Sequence, residues 1–107
     1  MNSKIQSLLE GAAKAAGLKN PRFVENTSWG TGISHGEGDD VYFLWNPLTS
    51  DGDAFRLAVV CMVSFGFYRF FKQCLKTLAA RRGLHDDPYE VVRYVVVEAA
   101  ATLVENK

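Results

Sequence analysis

Apolar residues recur at helical spacing from the start of the chain: Ile5, Leu8, Leu9, Ala12, Ala13 and Ala16. The pattern predicts an amphipathic helix over residues 3–16, with Ser3 as its N-cap and Gly17 as its stop. From Asn20 to Asp40 the periodicity disappears among glycines and small polar residues, and Phe23, Val24, Trp29 and Ile33 are the large apolar anchors. That stretch reads as a long loop with room for a short strand. Residues 41–45, VYFLW, are β-branched and aromatic, and Asn46-Pro47 ends them, because proline cannot continue a central ladder. They read as a buried strand. Ser50 or Asp51 then caps a helix whose apolar face begins Ala54, Leu57, Ala58 and Cys61, with Asp51 and Asp53 at the positive end of its dipole.

Residues 62–82, MVSFGFYRFFKQCLKTLAARR, admit two readings. Phe67, Phe70, Phe71, Cys74, Leu75 and Leu78 repeat at intervals of three and four, as one long helix would. The dense aromatic and β-branched run VSFGFYRFF, with Gly66 inside it, suits two strands joined by a turn near Lys72-Gln73. Periodicity leaves both open. The C-terminal segment is clearer. Asp86 or Asp87 is an N-cap, Pro88 takes the first helical position, Glu90 lies in the first turn, and Val91, Val92, Val95, Ala99 and Leu103 form a core stripe.

At 107 residues the chain is of single-domain size, and 48% hydrophobic with 22% charged residues is ordinary globular usage. Twelve Lys and Arg balance twelve Asp and Glu, so no global field recruits nucleic acid. Cys61 and Cys74 form no CxxC pair and read as reduced, buried thiols. Lys4, Gln6, Ser7, Glu10 and Lys14 interrupt any N-terminal apolar stretch, which argues against a secretion signal. The longest apolar run, LAVVCMVSFGF, is 11 residues, far below the roughly 20 of a membrane span. These features lead us to expect a soluble protein of the cytoplasm.

The block WNPLTSDGDAFRLAV, Trp45 to Val59, has a functional reading: Trp45, Asn46, Asp51, Asp53 and Arg56 set around a helix N-terminus that offers backbone N–H groups to an anion or a partner. It also has a structural reading, with Trp45 in the core, a turn at Asn46-Pro47, a cap at Asp51 and Arg56 paired to a nearby acid. DGD lacks the alternating oxygens and twelfth-position glutamate of a calcium loop. His35, Glu37 and Asp39 gather in HGEGDD and are candidate cation ligands or general bases, although no second histidine lies at ligand spacing. GTGISHG has the spacing of neither phosphate-binding glycine motif. No cofactor is expected.

The same block, followed by DDPYEVVRYVVVEAAATLV, resembles the phage α-β-α sandwich family of small phage and prophage proteins. That family carries a W-N-P-L-x-x-D-G-D-A-x-R-L-A-V block, then an apolar strand and a D-P-x-x-A-x-R-R-A-I-V-x-A-A-A segment. Trp45, Asn46, Pro47, Leu48, Asp51, Gly52, Asp53, Ala54, Arg56, Leu57, Ala58 and Val59 match the first block. Asp87, Pro88, Arg93, Val95, Ala99, Ala100 and Ala101 match parts of the second, and Tyr94 stands where a second arginine is usual. The resemblance covers about three-quarters of the chain. It implies that residues 62–70 and 75–81 form a hairpin. The expected fold is therefore one α+β domain, an α-β-α sandwich of order α-β-α-β-β-α with a small antiparallel sheet between helices.

On strand alternation Phe65, Phe67 and Phe71 face one side of that hairpin, and Tyr68 and Phe70 face the other beside Arg69 and Lys72. That is more aromatic surface than a thin sheet covers, so an exposed remainder marks a protein partner or a homodimer seam. Lys76, Arg81 and Arg82 form a short basic patch, too small for nucleic acid. The resemblance and the surplus rings together point to a non-enzymatic phage or prophage accessory protein. It would bind a host protein or complex in the bacterial cytosol, inhibiting a defence complex or redirecting host machinery, without touching nucleic acid or membrane. Its candidate contact residues are Phe65, Phe67, Tyr68, Arg69, Phe70, Trp45, Asp51, Asp53 and Arg56. The alternative is a small-ligand or metal-binding module formed by the 29–40 loop over the helix start at 50–56.

Overall fold

The computed structural model describes residues 3–27, 30–36, 43–81 and 87–105. The first helix, α1 (Ser3–Ala16), ends where expected, at Gly17 with φ 73°. Leu18 N donates to the Ala13 carbonyl and Gly17 N to the Lys14 carbonyl, both at 3.2 Å, which satisfies two of the helix's last acceptors.

The 20–40 stretch is not simply a loop: it contains two strands. Strand β1 (Arg22–Thr27) runs antiparallel to β2 (Gly30–His35), with Phe23 opposite Ile33 and a register irregularity between Val24 and Thr27. Strand β3 (Phe43–Trp45) adds to the other edge of β2, with Ile33 opposite Trp45, giving the order β1-β2-β3. Expected strand residues 41–42 lie outside the described ones. The glycines that made β2 look like loop are demanded by packing. A Cβ on Gly32 would fall 2.6 Å from the Trp45 carbonyl oxygen and 3.1 Å from the Asn46 side chain, so only glycine lets the chain fold over β2 there.

Helix α2 (Asp51–Phe65) follows, capped by Ser50 as predicted. Residues 62–82 contain no hairpin in their described part. Gly66, at φ 95°, ends α2, and α3 (Phe67–Arg81) starts directly after it, with Phe70 N donating to the Gly66 carbonyl at 3.0 Å. The helical spacing prevailed over the aromatic β-propensity because it buries Phe70 and Thr77 on one face, against the last helix. The α+β class and the antiparallel sheet hold. The element order is α-β-β-β-α-α-α rather than α-β-α-β-β-α.

Helix α4 (Pro88–Glu105) is capped by Asp87, whose Oδ1 accepts from Tyr89 N at 2.9 Å. Val95, Val96, Val97, Ala99, Ala100, Ala101 and Leu103 are all buried, more than a single stripe, because α1, α2 and α3 all pack on this helix. Packing on several sides also explains a β-branched run inside a helix. Val92, expected in the core stripe, is exposed. Small residues let α1 come close: a Cβ on Gly11 would lie 2.9 Å from the Ala101 Cβ. The sheet packs on α1, and Ile33 and Trp45 join the core that α1, α2, α3 and α4 share. No described helix is long and apolar enough to cross a membrane.

Candidate functional site

The Trp45–Arg56 block is chiefly a joint between the sheet and two helices. Trp45 and Pro47 are buried. Asn46 ties the turn together: its Nδ2 donates to the Thr31 carbonyl at 2.8 Å, and its Oδ1 accepts from Leu48 N at 2.9 Å. Ser50 Oγ caps the helix by accepting from Asp53 N at 3.2 Å. Asp53 in turn reaches past the cap, where Oδ2 accepts from Asn46 N at 3.0 Å and Oδ1 pairs with Arg56 at 3.2 Å. From the far end of the sequence, Arg93 donates Nε to the Leu48 carbonyl at 2.9 Å and Nη1 to Asp51 at 2.6 Å. The structural reading therefore accounts for most of the block. Trp45, a candidate contact residue, is buried, and Asp51 and Asp53 are engaged within the joint.

A cleft of about 430 Å³ opens beside this joint, bringing together His35, Leu44, Trp45, Asp53 and Arg56 with the apolar wall of α2. The Arg56 side chain is exposed and the Asp53 carboxylate is already shared by Asn46 N and Arg56. The Arg56 guanidinium, paired with Asp53 through Nη1 yet largely in water, is a cationic group at the cleft that suits a small anion. Of the proposed cation ligands His35 lines this cleft, whereas Glu37 and Asp39, like Trp29, lie outside the described residues. Among the described residues no three His, Cys, Asp or Glu side chains gather as a metal cage. Cys61 and Cys74 are free thiols. Burial, reinforced by neighbouring Cys74, pushes the Cys61 thiol up to about 12, and burial pushes Cys74 up to about 11, so neither is poised as a nucleophile near neutral pH.

Among the described residues, α3 leaves five large apolar side chains in water. Phe67 is 62% exposed, Tyr68 74%, Phe71 50%, Leu75 51% and Leu78 41%. At 3.6 residues per turn these five side chains fall in one sector about 100° wide, and Arg69, Lys72 and Lys76 occupy the sector beside it. Phe67 and Phe71 stack with centroids 5.9 Å apart and planes 6° from parallel. Lys72 Nζ sits 5.9 Å from the Tyr68 ring centroid, and the Arg69 guanidinium 5.7 Å from that of Phe65. The cations are thus held beside the apolar strip.

Of the predicted aromatic contacts, Phe67, Tyr68 and Arg69 are exposed, Phe65 is half-buried against the core, and Phe70 is buried. Phe70 is a correction, and helix rotation is its cause: Phe67 and Phe71 share the outer face while Phe70 turns inward. Reasoning from a hairpin missed Phe71, Leu75 and Leu78 as surface residues. The signal was present, since 67, 71, 75 and 78 form a second helical stripe offset from the buried one through Phe70, Cys74 and Thr77. No protein-family model matches the chain, and no curated protein or solved structure is similar enough to count as a match.

Proposed function

We propose that this chain is a non-enzymatic accessory protein of the phage or prophage kind that binds a host protein, with the outer face of α3 as its docking surface. The observation that carries the reading is the continuous apolar sector Phe67-Tyr68-Phe71-Leu75-Leu78, five exposed large side chains on one face of one helix. Three rings of ~150–250 Å² each, at least half exposed, leave on the order of 350 Å² of aromatic surface in water. With the two leucines the patch reaches the upper part of the roughly 300–600 Å² spanned by the largest patches of ordinary monomers, which are often functional. A surface without reacting groups acts by occupancy, so inhibition of a defence complex, or redirection of host machinery, would follow from covering one of its working interfaces. The phage setting and the bacterial cytosol rest on the resemblance of the sequence.

The test places a photoreactive residue at Tyr68 and captures partners from bacterial lysate with the wild-type chain and with Leu75→Asp. One protein cross-linked at position 68 and lost with Leu75→Asp is the expected result. Equal capture by both, or none across a panel of hosts, refutes the reading. The convergence of His35, Trp45 and Arg56 on one cleft favours a second reading, a site for a small anion. Thermal stabilisation by an anion that Arg56→Ala abolishes would support it.

A further inference from the structure

Resting on the reading of α3 as a protein-docking face, we infer that its partner is an acidic amphipathic helix. Tyr68, Phe71, Leu75 and Leu78 are spaced three, four and three apart, the interval at which one helix presents a seam to another. The seam runs about 15 Å, three turns of a partner helix. Its flank is of one sign: Arg69, Lys72 and Lys76 stand beside the seam and α3 carries no acidic residue, although the chain's twelve cations and twelve anions cancel overall. Lys72, held at the Tyr68 ring, stands at the seam's edge, and Arg69 and Lys76 stand behind it. A helix laid along the seam sets its own edge against these cations. Carboxylates there gain complementary pairing, and lysines there meet repulsion.

A second copy of this chain fits less well. Two α3 faces brought together would set Lys72 and Lys76 against their own kind. Another exposed apolar cleft, about 450 Å³ between α2 and α4, is rimmed by Phe55, Tyr89 and Val92, but its Asp51 is already neutralised by Arg93. A membrane surface would need cations along both edges of the apolar sector to sit level among headgroups. The edge of α3 away from Lys72 turns instead into the core through Cys74, Phe70 and Thr77.

The probe is a fluorescent helical peptide of about 18 residues, long enough for the seam, with leucines at seam positions and glutamates on both flanks. Its control has lysines on the flanks. The full chain should bind the glutamate peptide at least tenfold more tightly than the lysine peptide, and the difference should shrink with added salt. Leu75→Asp, and independently Leu78→Asp, should weaken binding at least tenfold with an unchanged thermal midpoint, since both side chains are substantially exposed. The pair Lys72→Glu and Lys76→Glu should reverse the preference toward the lysine peptide.

Equal binding of the two peptides, or binding of neither, overturns the inference. So does flotation with phosphatidylcholine–phosphatidylglycerol vesicles in the absence of peptide binding, or a self-association in sedimentation that Leu75→Asp abolishes. A host protein cross-linked at Tyr68 through a segment without carboxylates overturns the acidic helix alone and leaves protein docking standing.

Discussion

Adding a single methyl at Gly11 tests the closest contact in the fold. In isolation Gly→Ala in a helix stabilises by about 1 kcal/mol. At this position the new Cβ would meet the Ala101 Cβ at 2.9 Å and the Ala101 Cα at 3.3 Å, against roughly 3.5–4.0 Å for comfortable carbon contacts. Both neighbouring atoms belong to the stem of α4, so relief requires α1 and α4 to separate around Leu9, Ala12, Ala13 and Val97, all fully buried. Overpacking of this kind costs about 1–3 kcal/mol, which outweighs the propensity gain. Gly11→Ala should therefore destabilise the domain by up to about 2 kcal/mol, a fall of several degrees in Tm.

The decisive comparison is the double-mutant cycle with Ala101→Gly, followed by urea unfolding and far-ultraviolet circular dichroism. Ala101→Gly alone loses about 1 kcal/mol of helix propensity and a further ~0.8 kcal/mol for the buried methyl. In that background the 2.9 Å clash is gone, and Gly11→Ala should turn neutral or stabilising. The coupling should reach about 1–2 kcal/mol, within the range for residues in contact. If Gly11→Ala raises the wild-type midpoint, or has the same effect in both backgrounds, the α1–α4 packing argued above is wrong.

Asn46→Ala should lower stability by about 1–3 kcal/mol, because it removes the hydrogen bonds that the Asn46 side chain makes to the Thr31 carbonyl and from Leu48 N; accelerated hydrogen exchange at Leu48 checks the assignment. Arg93→Lys should cost more than Asp51→Asn. The Asp51 side chain is largely in water, so its ion pair contributes about 0–1 kcal/mol, whereas a lysine cannot hold both Asp51 and the Leu48 carbonyl. Denaturation of the two variants side by side decides between them. Both thiols ionise in the unfolded chain near 9.0 but are pushed to about 12 and about 11 when folded. Raised values mean that their contribution is intact below pH 9 and is lost as pH climbs from there toward the folded values, because the unfolded state alone releases those protons. The unfolding free energy of the wild type should therefore fall more steeply above pH 9 than that of Cys61→Ala/Cys74→Ala, and parallel curves would contradict this.

Helix ends were the most legible feature of the chain. Gly17, Ser50, Asp87 and Pro88 act through backbone geometry within a few residues, so their types alone mark where α1 stops and where α2 and α4 begin. The strand before Asn46-Pro47 was readable for the same reason. The hairpin of β1 and β2 was not, since Gly30 and Gly32 weaken any strand signal, and the need for Gly32 exists only once Trp45 and Asn46 lie across it. Residues 62–82 carried two periodicities at once, and the resemblance to the phage family pointed to the one that the structure does not adopt.

The candidate surface divides along the same line. From sequence alone came the surplus of aromatic residues between Phe65 and Phe71 and the cations Arg69 and Lys72 beside them, because composition does not depend on the fold. Which rings meet water depended on the helical turn that follows Gly66 and on the rotation that docks α3 against α4. Phe70 went inward and Phe67, Tyr68 and Phe71 stayed out, and Leu75 and Leu78 joined them. Local chemistry within a few residues determined the caps and turns. Contacts between residues far apart in the chain, such as Arg93 with Leu48, Gly11 with Ala101 and α3 with α4, were decided by the tertiary structure alone, because burial belongs to the assembled core rather than to any segment of it.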